Sequence, residues 1–107
     1  MVTYDEFKKL DLVAGIIVSA EDHPNADRLQ ILKVDIGEEK PRTLVAGLKG
    51  HYEPSELKGM PVVVVANLEP AKLRGVESRG MILAAQEGDT VSVLVPDKPV
   101  SPGARVL

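Results

Sequence analysis

Apolar and polar positions along this chain alternate in short runs broken by proline and glycine, the pattern of many short strands rather than of long helices. Leu12 to Ala20 forms a β-branched run, the next segment alternates through Leu29, Ile31, Lys33 and Asp35 to Ile36, and Arg42 to Ala46 gives a third. Pro61 opens the most apolar stretch, Val62 to Leu68, after which Gly80 to Ala85 and Val91 to Val95 supply a fifth and a sixth strand. Two helices are expected and both are short. Thr3-Tyr-Asp-Glu6 is a capping box that starts a helix ending near Leu10, with Tyr4, Phe7 and Leu10 on its apolar face. Pro54 enters, and Gly59 stops, the helix within Glu53 to Gly59. Turn chemistry marks His23-Pro-Asn-Ala-Asp27, and Pro96, Pro99 and Pro102 break the tail.

Three strands, a short helical connection and two more strands is the order of an all-β, five-stranded OB-fold Greek-key barrel, here with short helices and a C-terminal extension. One domain over residues 1–107 accounts for the length, which is enough to bury a core without cross-links. Such barrels bind oligonucleotides on the face bordered by the loop between strands one and two and the loop between strands four and five. Those loops are His23 to Arg28 and Glu69 to Arg79. Far apart along the chain, they are expected side by side in space.

Charge complicates a nucleic-acid partner. The net charge of -3 and the pI near 5.3 oppose phosphate binding, which draws on lysine and arginine. The average conceals an asymmetry: acids crowd the chain up to Glu39, and lysine and arginine outnumber them from Lys40 onward. The absence of cysteine removes disulfides, thiolate metal sites and thiol nucleophiles, and with no charged-then-apolar leader the expected location is cytoplasmic. The apolar runs are far shorter than the roughly 20 residues that span a bilayer, so no membrane partner is expected. His23 and His51 are the only histidines and have no metal-ligand spacing, and the acids are scattered. Neither a metal, a cofactor nor a catalytic residue is expected. Tyr4, Phe7 and Tyr52 are the only aromatics and none lies in the two loops, which disfavours base stacking and favours recognition of a folded RNA by shape, phosphates and 2′-hydroxyls.

Within the second loop, Lys72, Arg74 and Arg79 are suited to charge-assisted bonds with phosphate, and Glu69 and Glu77 weaken that field. Ser78 lacks the glycine two residues before it that a nucleophile elbow needs, since Val76 stands there. It is read as a turn-stabilising hydroxyl or as a partner for ribose or phosphate. Met81 is either core or an exposed apolar contact at the loop edge. Tyr4 and Phe7 either anchor a partner subunit or plug their own barrel.

Four stretches taken in order are more specific than any one: His23-Pro-Asn-Ala-Asp-Arg-Leu29, Tyr52-Glu-Pro-Ser-Glu-Leu-Lys-Gly59, Val62-Val-Val-Val-Ala-Asn-Leu-Glu-Pro70 and Lys72-Leu-Arg-Gly-Val-Glu-Ser-Arg-Gly-Met81. Together they resemble the tRNA-binding domain appended to methionyl-tRNA synthetases, also found as free-standing dimeric tRNA-binding proteins and as the endothelial-monocyte-activating polypeptide module. The resemblance implies an accessory tRNA-binding module with no catalytic site of its own. It implies contact with the outer corner of tRNA, increased tRNA affinity for a methionyl-tRNA synthetase catalytic chain, and a homodimer. Its binding positions fall on Asn25 and Arg28 in the first loop and on Lys72, Arg74, Ser78 and Met81 in the second, joined by Arg79 from the residue reading. Tyr4, Phe7 and the tail from Val91 to Leu107 fall in the dimer elements. The rival reading is a protein-interaction or assembly barrel that binds no RNA.

Overall fold

The computed structural model describes all of residues 1–107. Helix α1 (Tyr4–Phe7) precedes β1 (Leu12–Asp22), β2 (Gln30–Asp35) and β3 (Arg42–Ala46), and α2 (Pro54–Leu57) leads into β4 (Pro61–Val65). Then follow β5 (Ala71–Leu73), β6 (Val76–Ser78), β7 (Met81–Ile82), β8 (Ala84–Glu87) and β9 (Thr90–Val93). The main sheet has the order β3-β2-β1-β4-β7, which is the expected Greek-key OB barrel: a three-strand meander, then a fourth strand returning to the far side of the first.

Every adjacent pair in that sheet is antiparallel, so β3 and β7 run parallel where the barrel closes. No regular ladder joins them. The gap is bridged by the Arg79 N–H donating to the Thr43 carbonyl at 2.9 Å and the Val45 N–H donating to Ser78 Oγ at 2.9 Å. Inside, Ile17, Leu32, Val34, Leu44, Leu57, Val62 and Val64 are fully buried. In β2 the inward set is Gln30, Leu32 and Val34, so Ile31, Lys33 and Asp35 face outward. Gly15 sits mid-strand in β1 because a Cβ there would lie 3.0 Å from Val34 Cγ1.

Several boundaries differ from expectation. The capping box of α1 forms, with Thr3 and Glu6 bonded in both directions, yet the helix stops at Phe7 instead of Leu10. It buries none of its residues, so it does not plug the barrel. Strand β4 ends at Val65 rather than Leu68 because Asn67 turns back: its Oδ1 accepts from the Asp11 N–H at 2.8 Å and its Nδ2 donates to the Lys9 carbonyl at 2.7 Å. The stretch expected as a loop from Glu69 to Arg79 is a β5–β6 hairpin. Its turn is Arg74-Gly75, both at positive φ (51° and 90°), the left-handed pair that matches the twist of a two-residue hairpin. The expected fifth strand splits after Ile82, β7 completing the barrel and β8 leaving to pair with β9.

The tail returns to the barrel. Arg105 bridges to Val13, the Ala14 N–H donates to Ala104, and the Gly103 N–H donates to Ala14, both at 2.8 Å. It thereby occupies the start of β1 on the edge that β2 takes further along. Gly37 and Gly103 permit this approach: a Cβ on Gly37 would lie 2.7 Å from the Pro102 carbonyl oxygen. No helix is long and apolar enough to cross a membrane.

Candidate functional site

The turn after β1 is organised by a buried imidazole. His23, 2% exposed, receives the Asn25 N–H on Nδ1 at 3.0 Å, which leaves Nε2 as the protonated nitrogen donating to the Leu73 carbonyl at 3.1 Å. One side chain therefore joins the first loop to the tip of the β5–β6 hairpin. As a result Arg28 and Arg74 line one small cleft with Ala26, Asp27 and Leu29. Asn25, Arg28, Lys72 and Arg74 are all exposed around this junction. Lys72 sits opposite Glu77 in the hairpin register, which tempers its charge without removing it from solvent.

Beside the cleft, Arg28 also borders an open groove of about 490 Å³ that contains Met81, Lys49, His51 and Gln86. Met81 is 47% exposed and is not core, whereas its neighbour Ile82 is buried beneath it. The alternation of β7 explains this: Ile82 points into the barrel, which sends Met81 outward. The Ser78 hydroxyl is placed to stabilise its own turn. It donates to the Gly80 carbonyl at 3.0 Å and accepts the Val45 N–H, and the residue is 5% exposed.

Arg79 is set apart from Arg28, Lys72 and Arg74. Its backbone closes the barrel, and it lines a separate polar cleft with Glu38, Lys40 and Arg42. Arg42 is committed to the fold: it grips both oxygens of Glu38 at 2.8 and 2.9 Å and donates to the Ala66 and Arg79 carbonyls at 2.6 and 3.1 Å. The hydrogen bond from Arg42, and then the charges of Arg42 and Arg79, hold the Glu38 carboxyl below its usual pKa. The same bond raises that of Arg42.

The structure thus brings together Asn25, Arg28, Lys72, Arg74 and Met81, buries Ser78 beneath them, and places Arg79 on a neighbouring surface. Sequence reasoning missed His23 as the pin and Lys49, His51 and Gln86 as groove residues. Lys49-Gly-His51, a basic stretch directly after the third strand, was the available signal. No three or more of the His, Asp and Glu side chains are grouped so as to hold a metal ion. Tyr4, Phe7, Leu10, Arg105 and Val106 meet at the opposite end of the molecule around a small cleft of their own.

Residues 12–105 match a family profile described as "Putative tRNA binding domain". The chain is 61% identical over 105 residues to a methionine–tRNA ligase of Thermococcus kodakarensis and 50% identical over 105 residues to that of Thermotoga maritima. It is 98% covered in both alignments but spans only 14% and 16% of the two ligases. Among solved structures, a protein related to methionyl-tRNA synthetase from Pyrococcus horikoshii superposes with a TM-score of 0.92 at 36% identity, covering 100% of this chain and 98% of that one. The chaperone CsaA from Bacillus anthracis superposes with a TM-score of 0.90 at 27% identity, covering 100% and 99%.

Proposed function

This chain belongs to the tRNA-binding domain family, and from that premise we propose that it is a non-catalytic module that binds tRNA and raises the tRNA affinity of a methionyl-tRNA synthetase. The observation that carries the reading is the His23 bridge, which sets Arg28 and Arg74 at one cleft although they lie in different loops. Exposed cations at fixed separation suit a polyanion of fixed shape, the outer corner of a folded tRNA, better than a flexible strand. Asn25, Arg28, Lys72, Arg74 and Met81 make the contacts, Arg79 extends them along the barrel, and Ser78 positions the hairpin. Attachment to a catalytic chain, covalent or as a subunit, raises the local concentration of tRNA without adding chemistry.

The same proposal includes a homodimer through the terminal segments. Tyr4, Phe7 and Leu10 are 72%, 36% and 42% exposed, and the tail lies beside them at Val106. Aromatic and aliphatic groups so exposed are suited to burial against a second copy.

Titration with folded tRNA at two salt concentrations tests the reading. Lys72→Ala with Arg74→Ala is expected to weaken binding at unchanged thermal stability, because both side chains are exposed. Unaltered binding would remove these residues from the site. Likeness to the chaperone CsaA favours a second reading, protein interaction, and a pull-down that survives nuclease treatment would select it.

A further inference from the structure

The groove at Met81 is chemically unlike a phosphate track. Contacts to phosphate need cations on an open surface and gain nothing from an apolar floor, yet here Met81, Ala84 and Val91 supply one over the inward-pointing Ile82. Cations stand at its rim: Arg28 from the first loop and Lys49 after β3. Gln86 at the same groove, whose Nε2 also donates to the Gly88 carbonyl at 3.4 Å, keeps a second N–H and its carbonyl oxygen, a donor and an acceptor together, the pair that reads the edge of a base. At about 490 Å³ the space matches a ligand of nucleotide size. No Phe or Tyr lines it, so the partners for the faces of a base are the imidazole of His51 and the thioether of Met81, whose sulfur makes favourable contacts with aromatic rings.

Resting on the RNA reading above, we propose that this groove receives one unpaired nucleobase turned out of the folded RNA, with its flanking phosphates on Arg28 and Lys49. A paired base within a duplex presents only its edge and cannot enter a concave site, so the groove selects RNA with an unstacked nucleotide. Met81 covers one face of the base and Gln86 bonds its edge. The hairpin cations at Lys72 and Arg74 then follow the backbone as it leaves the groove. Backbone contacts and base capture are thereby divided between two adjacent surfaces that share Arg28.

Three two-strand RNA duplexes with one common sequence test this by fluorescence titration: one fully paired, one carrying a single bulged adenosine, and one with an abasic site in place of that adenosine. The bulged adenosine is expected to bind about tenfold more tightly than the other two. Met81→Ala and Gln86→Ala should each reduce that preference without changing the dependence on salt. Both side chains are exposed, so neither change threatens the fold. Arg28→Ala should weaken all three RNAs and flatten their salt dependence. Equal binding of the adenosine and abasic bulges would overturn the proposal and leave the RNA reading standing. Failure of every RNA to bind, tRNA included, would overturn both.

Discussion

The two ends of β1 are finished in different ways. At the Asp22 end lie the three polar residues that the molecule buries, His23, Gln30 and Ser78, and each ties together backbone from separate segments. His23 holds Leu73, Gln30 donates to the Tyr52 carbonyl at 2.9 Å, and Ser78 holds Val45 and Gly80. At the Leu12 end, α1 buries nothing, and its fastenings, Asn67 to Asp11 and Lys9 and the Asp11–Arg105 ion pair at 3.0 Å, are exposed. A buried hydrogen bond is expensive to break, because the groups left behind lose water as well as each other. The first end therefore presents charge on a rigid frame, and the second presents apolar side chains on a looser one. Charge at fixed spacing is what a shaped polyanion requires, whereas an apolar surface is completed by whatever covers it.

The largest expected effect comes from removing charge at the rigid end. Arg28→Ala with Arg74→Ala should lower tRNA affinity by about 100-fold, from two lost charge-assisted contacts, and reduce the salt slope by about two. The oligomeric state should not move. If affinity and assembly fall together, the two ends are not independent and the contrast between them fails. His23→Ala comes next. Loss of both ring hydrogen bonds at a buried position is expected to destabilise the fold by about 2 kcal/mol, read by denaturant unfolding. It should also weaken tRNA binding under conditions where the variant is still fully folded, although no cation has been removed. Normal affinity in the folded variant would show that the hairpin tip is held in place without the imidazole.

That His23 carries this weight was not legible in the sequence, and the reason is physical. Strand order follows from local alternation and turn residues, so the OB topology and the bounds of β3 could be read directly, as could the capping box at Thr3. The partners of a buried polar side chain are fixed by tertiary contacts 50 residues away, as with His23 and Leu73, and no local pattern announces them. The β5–β6 hairpin was hidden for a related reason. Its turn uses Arg74 at positive φ, where glycine or asparagine would have signalled the type, so only Gly75 pointed to it. Met81 was ambiguous because a two-residue strand has no periodicity to read. The adjacency of the two loops was legible, since it follows from the topology of the barrel; the groove at Met81 was not, because Lys49 and His51 enter it from a third segment.

The apolar end yields a smaller effect. Phe7→Asp is expected to raise the dissociation constant of the proposed dimer about tenfold, read by sedimentation across a concentration series, while affinity for tRNA per subunit stays the same. A variant that assembles as before would place the subunit contact elsewhere on the molecule.

Smallest, and most informative about where the charged surface stops, is Glu38→Gln. Glu38 has its folded pKa lowered, first by the Arg42 hydrogen bond and then by the charges of Arg42 and Arg79. A carboxylate whose pKa is lower folded than unfolded adds stability that is complete above its unfolded value. That contribution disappears as the pH falls through the folded value. The stability difference between the parent chain and Glu38→Gln should therefore be greatest at neutral pH and vanish under acid. It should stay below about 1 kcal/mol because the pair is partly solvated. The substitution also removes a negative charge from the cleft that Arg79 shares with Lys40. If RNA reaches that cleft, tRNA affinity at neutral pH should rise by about twofold and its salt dependence steepen. If affinity does not change, the RNA footprint ends at the hairpin, and Arg79 serves the barrel through its backbone rather than the ligand through its guanidinium.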